Sequence, residues 1–148
     1  MRRPKSRGPF KGAVAVEFAL IVPMLFLLFT ALLDLGFAAY ESMQVQAAAE
    51  AGAQYAMKHS WDAAAISAIV VAATSSGTIS ASPAPAQFCA CPSAGGLTQI
   101  VCTRTCAGGV LPGQYAQVSA QLTHSTILPY PGLPHPLVLH GRATVRLQ

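Results

Sequence analysis

Residues 12–33 read GAVAVEFALIVPMLFLLFTALL, and the reading of this stretch decides the architecture. Between positions 13 and 33 the only charge is Glu17. At 1.5 Å rise per residue, a helix over this stretch is about 31 Å long, close to the thickness of one hydrocarbon core. Arg2, Arg3, Lys5, Arg7 and Lys11 precede Gly12. Basic residues stay on the cytoplasmic side, so the expected orientation places the N-terminus inside and everything from Glu41 onward outside. A carboxylate at mid-bilayer costs about 2.5–3.5 kcal/mol on insertion scales, and such residues are usually functional. Glu17 is one turn from the cytoplasmic edge, where water and headgroups lower that cost, and a carboxylate snorkelling to the interface is the bland alternative. Pro23 removes a backbone donor and clashes with the Ala19 carbonyl, which predicts a kink or local melting there. Broken backbone is costly against lipid, so neighbouring helices are expected to cover it.

Working outward, the whole chain has 148 residues, 53% of them apolar and only 9% charged, with a formal net charge of +4. That charge is misleading. Five of the nine basic residues lie before Gly12; beyond it, Lys58, Arg104, Arg142 and Arg146 face Glu17, Asp34, Glu41, Glu50 and Asp62. No basic face remains to bind phosphates, so nucleic acid is not an expected partner. The four histidines are scattered, and no Ser or Cys has the setting of a nucleophile, so no enzyme and no cofactor are expected.

The expected organisation is a basic leader (1–12), a transmembrane helix (13–35), a helical stem (36–58) and a small exported domain (59–148). On the stem, Met43, Ala47, Gly52, Tyr55 and Ala56 fall along one side, with Glu41, Gln44, Gln46, Glu50 and Gln54 forming a wetter one. Good helix formers dominate, and small residues permit close helix approach. Residues 59–62, HSWD, break the run; Ser60 is the expected N-cap, Asp62 belongs to the first turn, and a second helix runs to about Thr74. Trp61 is expected to dock the two helices.

From Thr78 the residues suit strands and turns. Within 115–127, Ala116, Val118, Ala120 and Leu122 alternate with Gln117, Ser119, Gln121 and Thr123. Within 137–147, Leu137, Leu139, Ala143, Val145 and Leu147 alternate with Val138, His140, Arg142, Thr144 and Arg146. Period-two alternation predicts an antiparallel sheet with one dry face, covered by the helices. The fold class is therefore α+β. Residues 128–136, LPYPGLPHP, form a turn-rich connection.

Cys89, Cys91, Cys102 and Cys106 follow a C-x-C-x10-C-x3-C spacing. In a small domain outside the cytoplasm this predicts two disulfides, with three pairings open. A hairpin between 88–92 and 101–106 around SAGG favours nested pairing, Cys91 with Cys102 and Cys89 with Cys106. A tetrathiolate zinc site is disfavoured because its ligand pairs are usually C-x2-C or wider, so no metal is expected.

Gly12, Ala13, Glu17 and Phe18, directly after a basic leader, resemble the processing site of type IV prepilins, where a prepilin peptidase cuts after the Gly. Together with AAAEAGAQYA on the stem, the CACP and CTRTC segments, the PYPGLP run and the closing ATVRLQ, the chain resembles the TadE-like family of tight-adherence (Tad, Flp-type) pilus proteins. The likeness is strongest over residues 8–56 and weaker over 86–148. It implies a type IV pilin-like fold and the role of a pseudopilin or minor pilin, spanning the bacterial inner membrane with its C-terminal domain in the periplasm or on the pilus. It also implies as partners the prepilin peptidase, a major Flp-type pilin, other pseudopilins and an inner-membrane platform. Cleavage after Gly12 frees an ammonium at Ala13, one helical turn from Glu17; in a filament the acid could instead meet a neighbour's ammonium. Phe18 stands where many Flp-type sites have Tyr. Two rival readings are a membrane-anchored adhesin or binding module that is not processed, and a secretory signal peptide cut near Phe37, Ala38 and Ala39. The long apolar run, continuing through Leu35 and Phe37 without a break, counts against the second.

Overall fold

The structure, a computed structural model, describes residues 12–128, 132 and 135–147. The basic leader before Gly12 and most of the PYPGLP run lie outside the described residues. The element order is α1 (Ala13–Lys58), α2 (Ala63–Ala72), β1 (Ala86–Ser93), β2 (Gly96–Ile100), β3 (Gly113–His124) and β4 (Leu137–Arg146). The expected α+β class is what the structure shows. By contacts the chain divides into two compact units, Met1–Gly36 and Phe37–Gln148.

In the first unit, α1 is helical from Ala13 and runs unbroken through Pro23. The local melting expected at that proline does not occur. One lost N–H and one freed carbonyl are tolerated in a helix whose other hydrogen bonds stay within the segment. This part of α1 is long and apolar enough to cross a membrane.

The second unit is a helical layer on a four-stranded antiparallel sheet of order β2-β1-β3-β4. Its core joins Val45, Ala48, Ala49, Ala53 and Ala56 of α1 with Ile66 and Val70 of α2 and with Ala116, Val118, Ala120 and Leu122 of β3. The two strands read from alternation pair over their length, from Tyr115 opposite Arg146 to His124 opposite Leu137. The dry sets are as expected except at Leu137: β3's four apolar residues are buried, Leu139, Ala143, Val145 and Leu147 pack against them, and Leu137 is half-buried outside that cluster. Each Val, Ile or Leu so buried contributes about 1.5–3 kcal/mol relative to exposure. The largest fully buried side chains are only Ile66, Val45, Val70 and Val118, so this small core gains from covalent support.

Three expectations need correction. First, the face of α1 that meets the sheet is 45, 48, 49, 52, 53 and 56, whereas Met43 is 64% exposed and Ala47 is exposed. In an Ala-rich helix the docking stripe is set by how closely backbones approach, not by hydrophobic contrast. A β-carbon on Gly52 would stand 2.6 Å from Val70 Cγ2 and 2.9 Å from Val118 Cγ1. Second, the N-cap of α2 is Asp62, not Ser60: its Oδ1 accepts from the N–H groups of Ala64 at 2.9 Å and Ala65 at 3.1 Å. Asp ranks with Ser as a cap, and here it stands directly before the first helical residue. Trp61 packs, half-buried, against the core.

Third, the disulfides are Cys89–Cys102 and Cys91–Cys106, not the nested pairs. The return strand of the hairpin is β2, tight behind a turn that pairs Ser93 with Gly96 and places Cys89 opposite Ile100. Gly96 has φ 121°, a conformation that glycine adopts without steric cost. Cys102 therefore falls just beyond the strand. A turn closed by Arg104 N–H donating to the Val101 carbonyl at 2.9 Å then reverses the chain. The returning segment runs along β1 in the same sense, so the earlier cysteines pair together and the later ones do likewise. The Cα–Cα distances of 5.1 and 5.7 Å are ordinary for disulfides.

Candidate functional site

The sequence directs attention to the start of α1. Gly12 occupies a turn immediately before the helix, and its carbonyl accepts the first helical hydrogen bond, from Val16 N–H at 3.2 Å. The Gly12–Ala13 peptide bond thus lies at the helix boundary. A β-carbon built on Gly12 would meet nothing within 4 Å. Among the described residues, nothing in the fold demands glycine there.

Glu17 is the fifth residue of α1 and opens its second turn rather than its first. It is exposed, as are Phe18 at 68%, Leu20 at 74% and Phe26 at 67%. Every large apolar side chain from Val14 to Phe29 is exposed. So long an apolar surface in water would be strongly unfavourable, and it suits a helix surrounded by lipid or other helices. Within it, Gly12, Glu17 and Phe18 are accessible to a partner. Pro23 is exposed on the same span.

The four cysteines, the other group singled out from the sequence, are all spent in disulfides. Among the described residues no cluster of three His, Cys, Asp or Glu side chains is placed to hold a metal ion.

Sequence reading missed one polar contact of the second unit. His124, at the end of β3, is buried, and its Nδ1 lies 2.8 Å from Glu41 Oε2 on α1. The signal was present in the strand's parity: position 124 continues the dry series 116, 118, 120 and 122. Its partner is 83 residues away, beyond any local pattern. A second contact ties α1 to the sheet edge. Arg142 N–H donates to Gln46 Oε1 at 3.1 Å, and Gln46 Nε2 donates to the Arg142 carbonyl at 3.2 Å. The carboxamide of Gln46 thus takes the place of a neighbouring strand beside edge strand β4, one way of protecting such an edge.

An exposed apolar span with a lone acid near its start, together with a disulfide-bonded α+β unit, points to a membrane-anchored protein. Residues 12–54 match the TadE-like protein family, and the matched segment begins at the Gly12 turn and covers the apolar span and most of the sheet-docking stripe. Over that stretch the chain is similar to TadE-like proteins. The cysteines, α2 and the sheet lie beyond the matched segment, so the resemblance read over 86–148 is not part of it. No curated protein and no solved structure matches the chain.

Proposed function

We propose that this chain is a pseudopilin or minor pilin of a Tad pilus, inserted N-in into the bacterial inner membrane and cut after Gly12 by a prepilin peptidase. The observation that carries the reading is the coincidence, at one helix start, of the TadE-like match, an exposed Gly12 at the helix boundary and the exposed Glu17. The apolar span stores the subunit in the bilayer until lipid contacts are exchanged for helix contacts with a major Flp-type pilin or other pseudopilins. Cleavage would add an ammonium at Ala13, four residues from Glu17, and give the acid a partner either in its own helix or in a neighbour. The role is structural, and the sheet unit, outside the membrane, is what the assembly presents.

Intact mass of the protein, purified after co-expression with the peptidase, tests the reading. The expected product begins at Ala13, and Gly12→Ala leaves the full-length mass unchanged. Because a β-carbon at position 12 meets nothing in this fold, loss of cleavage reports recognition and not misfolding. A wild-type chain that keeps its basic leader, remaining in the membrane fraction, would establish the anchored binding module instead.

A further inference from the structure

The β-unit has an uneven charge distribution. All five carboxylates of the chain occur at or before Asp62, so residues 63–148 carry Arg104, Arg142 and Arg146 and no acid. Two hollows flank β2, and among the described residues neither is lined by an Asp or Glu. One, of about 460 Å³, lies between the β1–β2 hairpin and the cysteine loop, where Ser93, Thr98, Gln99, Arg104 and Thr105 supply its polar lining. Cys91 and Cys106 are in its wall, so their disulfide fixes its shape. The other, of about 250 Å³, is on the sheet face turned away from α1. There Leu97 and Gln99 of β2 meet Gln117 of β3 and Arg142 and Thr144 of β4 over Phe88. Strands at opposite edges of the sheet order reach the same hollow, so the sheet curls across this face. Gln99 lines both hollows, and the pair is termed the β2 track below.

The track has one guanidinium in each hollow, separated by hydroxyls, carboxamides and a half-buried Phe88 ring stacked on Tyr115 at 5.8 Å. Guanidinium groups form forked hydrogen bonds with carboxylates. Ser, Thr and Gln side chains donate to and accept from hydroxyls. A linear polymer of hydroxyl-rich units with spaced carboxylates matches that order of groups. Nucleic acid does not, since it calls for dense Lys/Arg contacts to successive phosphates and open aromatic platforms. We propose that the β2 track binds an acidic, uronate-bearing polysaccharide, with Arg104 and Arg142 each taking a carboxylate and Gln99 bridging between them. This goes beyond the pilus reading and does not depend on cleavage after Gly12.

Binding to polygalacturonate of the detergent-solubilised full chain, with Arg2, Arg3, Lys5, Arg7 and Lys11 changed to Gln so that the leader adds no charge, tests it, with neutral dextran and single-stranded DNA as competitors. The expected result is binding to polygalacturonate that neutral dextran does not displace and that weakens as salt is raised. Arg104→Gln and Arg142→Gln should each weaken it about fivefold, the upper range for an exposed ion pair. Lys58→Gln removes the same charge outside the track and should leave binding unchanged. Retention of both disulfides in each variant, read by mass, verifies that the unit is intact. No binding to polygalacturonate, an equal loss in Lys58→Gln, or tighter binding to the DNA would overturn the proposal.

Discussion

At Gly141 a built β-carbon would stand 2.6 Å from the Val45 carbonyl oxygen and 2.8 Å from the Gln46 Cα. The obstacle is helix backbone, which cannot rotate out of the way as a side chain can. Next to it, Gln46 holds the Arg142 amide through both its N–H and its carbonyl. Closest approach and hydrogen bonding therefore coincide at one point where α1 crosses β4. Gly52 differs: its close neighbours are methyl groups of Val70 and Val118, and alanine gains about 1 kcal/mol over glycine in a helix interior. Gly141→Ala should consequently cost about 1–3 kcal/mol, the usual range for overpacking, while Gly52→Ala costs less. Thermal unfolding of the full chain in detergent, followed by the near-ultraviolet signal of Trp61, should rank the variants in that order. The reverse order would mean that the helix–sheet contact gives way more easily than the α1–α2 contact.

At the scale of elements, strands and helices differed in how plainly the sequence announced them. β3 and β4 were legible because one face is dry, and a period of two cannot slip by one residue without exposing every apolar side chain. The apolar half of α1 was legible by length and composition alone. The docking stripe on its second half was not, because alanine on both sides leaves no contrast and glycine marks the contact instead. The cysteine segment was half legible: oxidation followed from number and context, but connectivity depended on where β2 ended and which way the chain then turned. Arg104 N–H bonded to the Val101 carbonyl supplies that turn, and nothing in the spacing encodes it. The connectivity has a direct check. The double variant Cys89→Ser/Cys102→Ser should keep its remaining disulfide and show no reactive thiol after denaturation without reductant. Cys91→Ser/Cys102→Ser should instead leave two reactive thiols, at Cys89 and Cys106. Thiol titration with the opposite outcome would restore the nested pairs. Losing either native bond should cost about 2–4 kcal/mol, as expected for loops near 15 residues, which the 13- and 15-residue separations match.

For the molecule as a whole, the question is what could set the register of an assembled subunit. The side chains of α1 from Val14 to Phe29 are exposed and almost entirely apolar. Exchanging lipid for another apolar helix yields little hydrophobic gain, because lipid tails are as apolar as leucine. Apolar contacts alone also permit sliding from one turn to the next. A charge breaks that degeneracy, and within residues 13–33 the only one is Glu17. Left unpaired among packed helices it is penalised; opposite an ammonium it is not. In the pilin role proposed above, the acid would therefore contribute little to insertion and much to assembly. Glu17→Ala should be found in the membrane fraction at the wild-type level and be cut after Gly12 as the parent is, both read on one gel by fractionation and band shift. Its recovery in sheared pili should fall by about tenfold or more, the effect of roughly 1.4 kcal/mol per subunit contact. Glu17→Asp keeps the charge on a shorter stem and should recover part of the loss. Wild-type amounts of Glu17→Ala in the pilus fraction would leave the acid without a register role, while the cleavage assignment at Gly12 would stand on its own test.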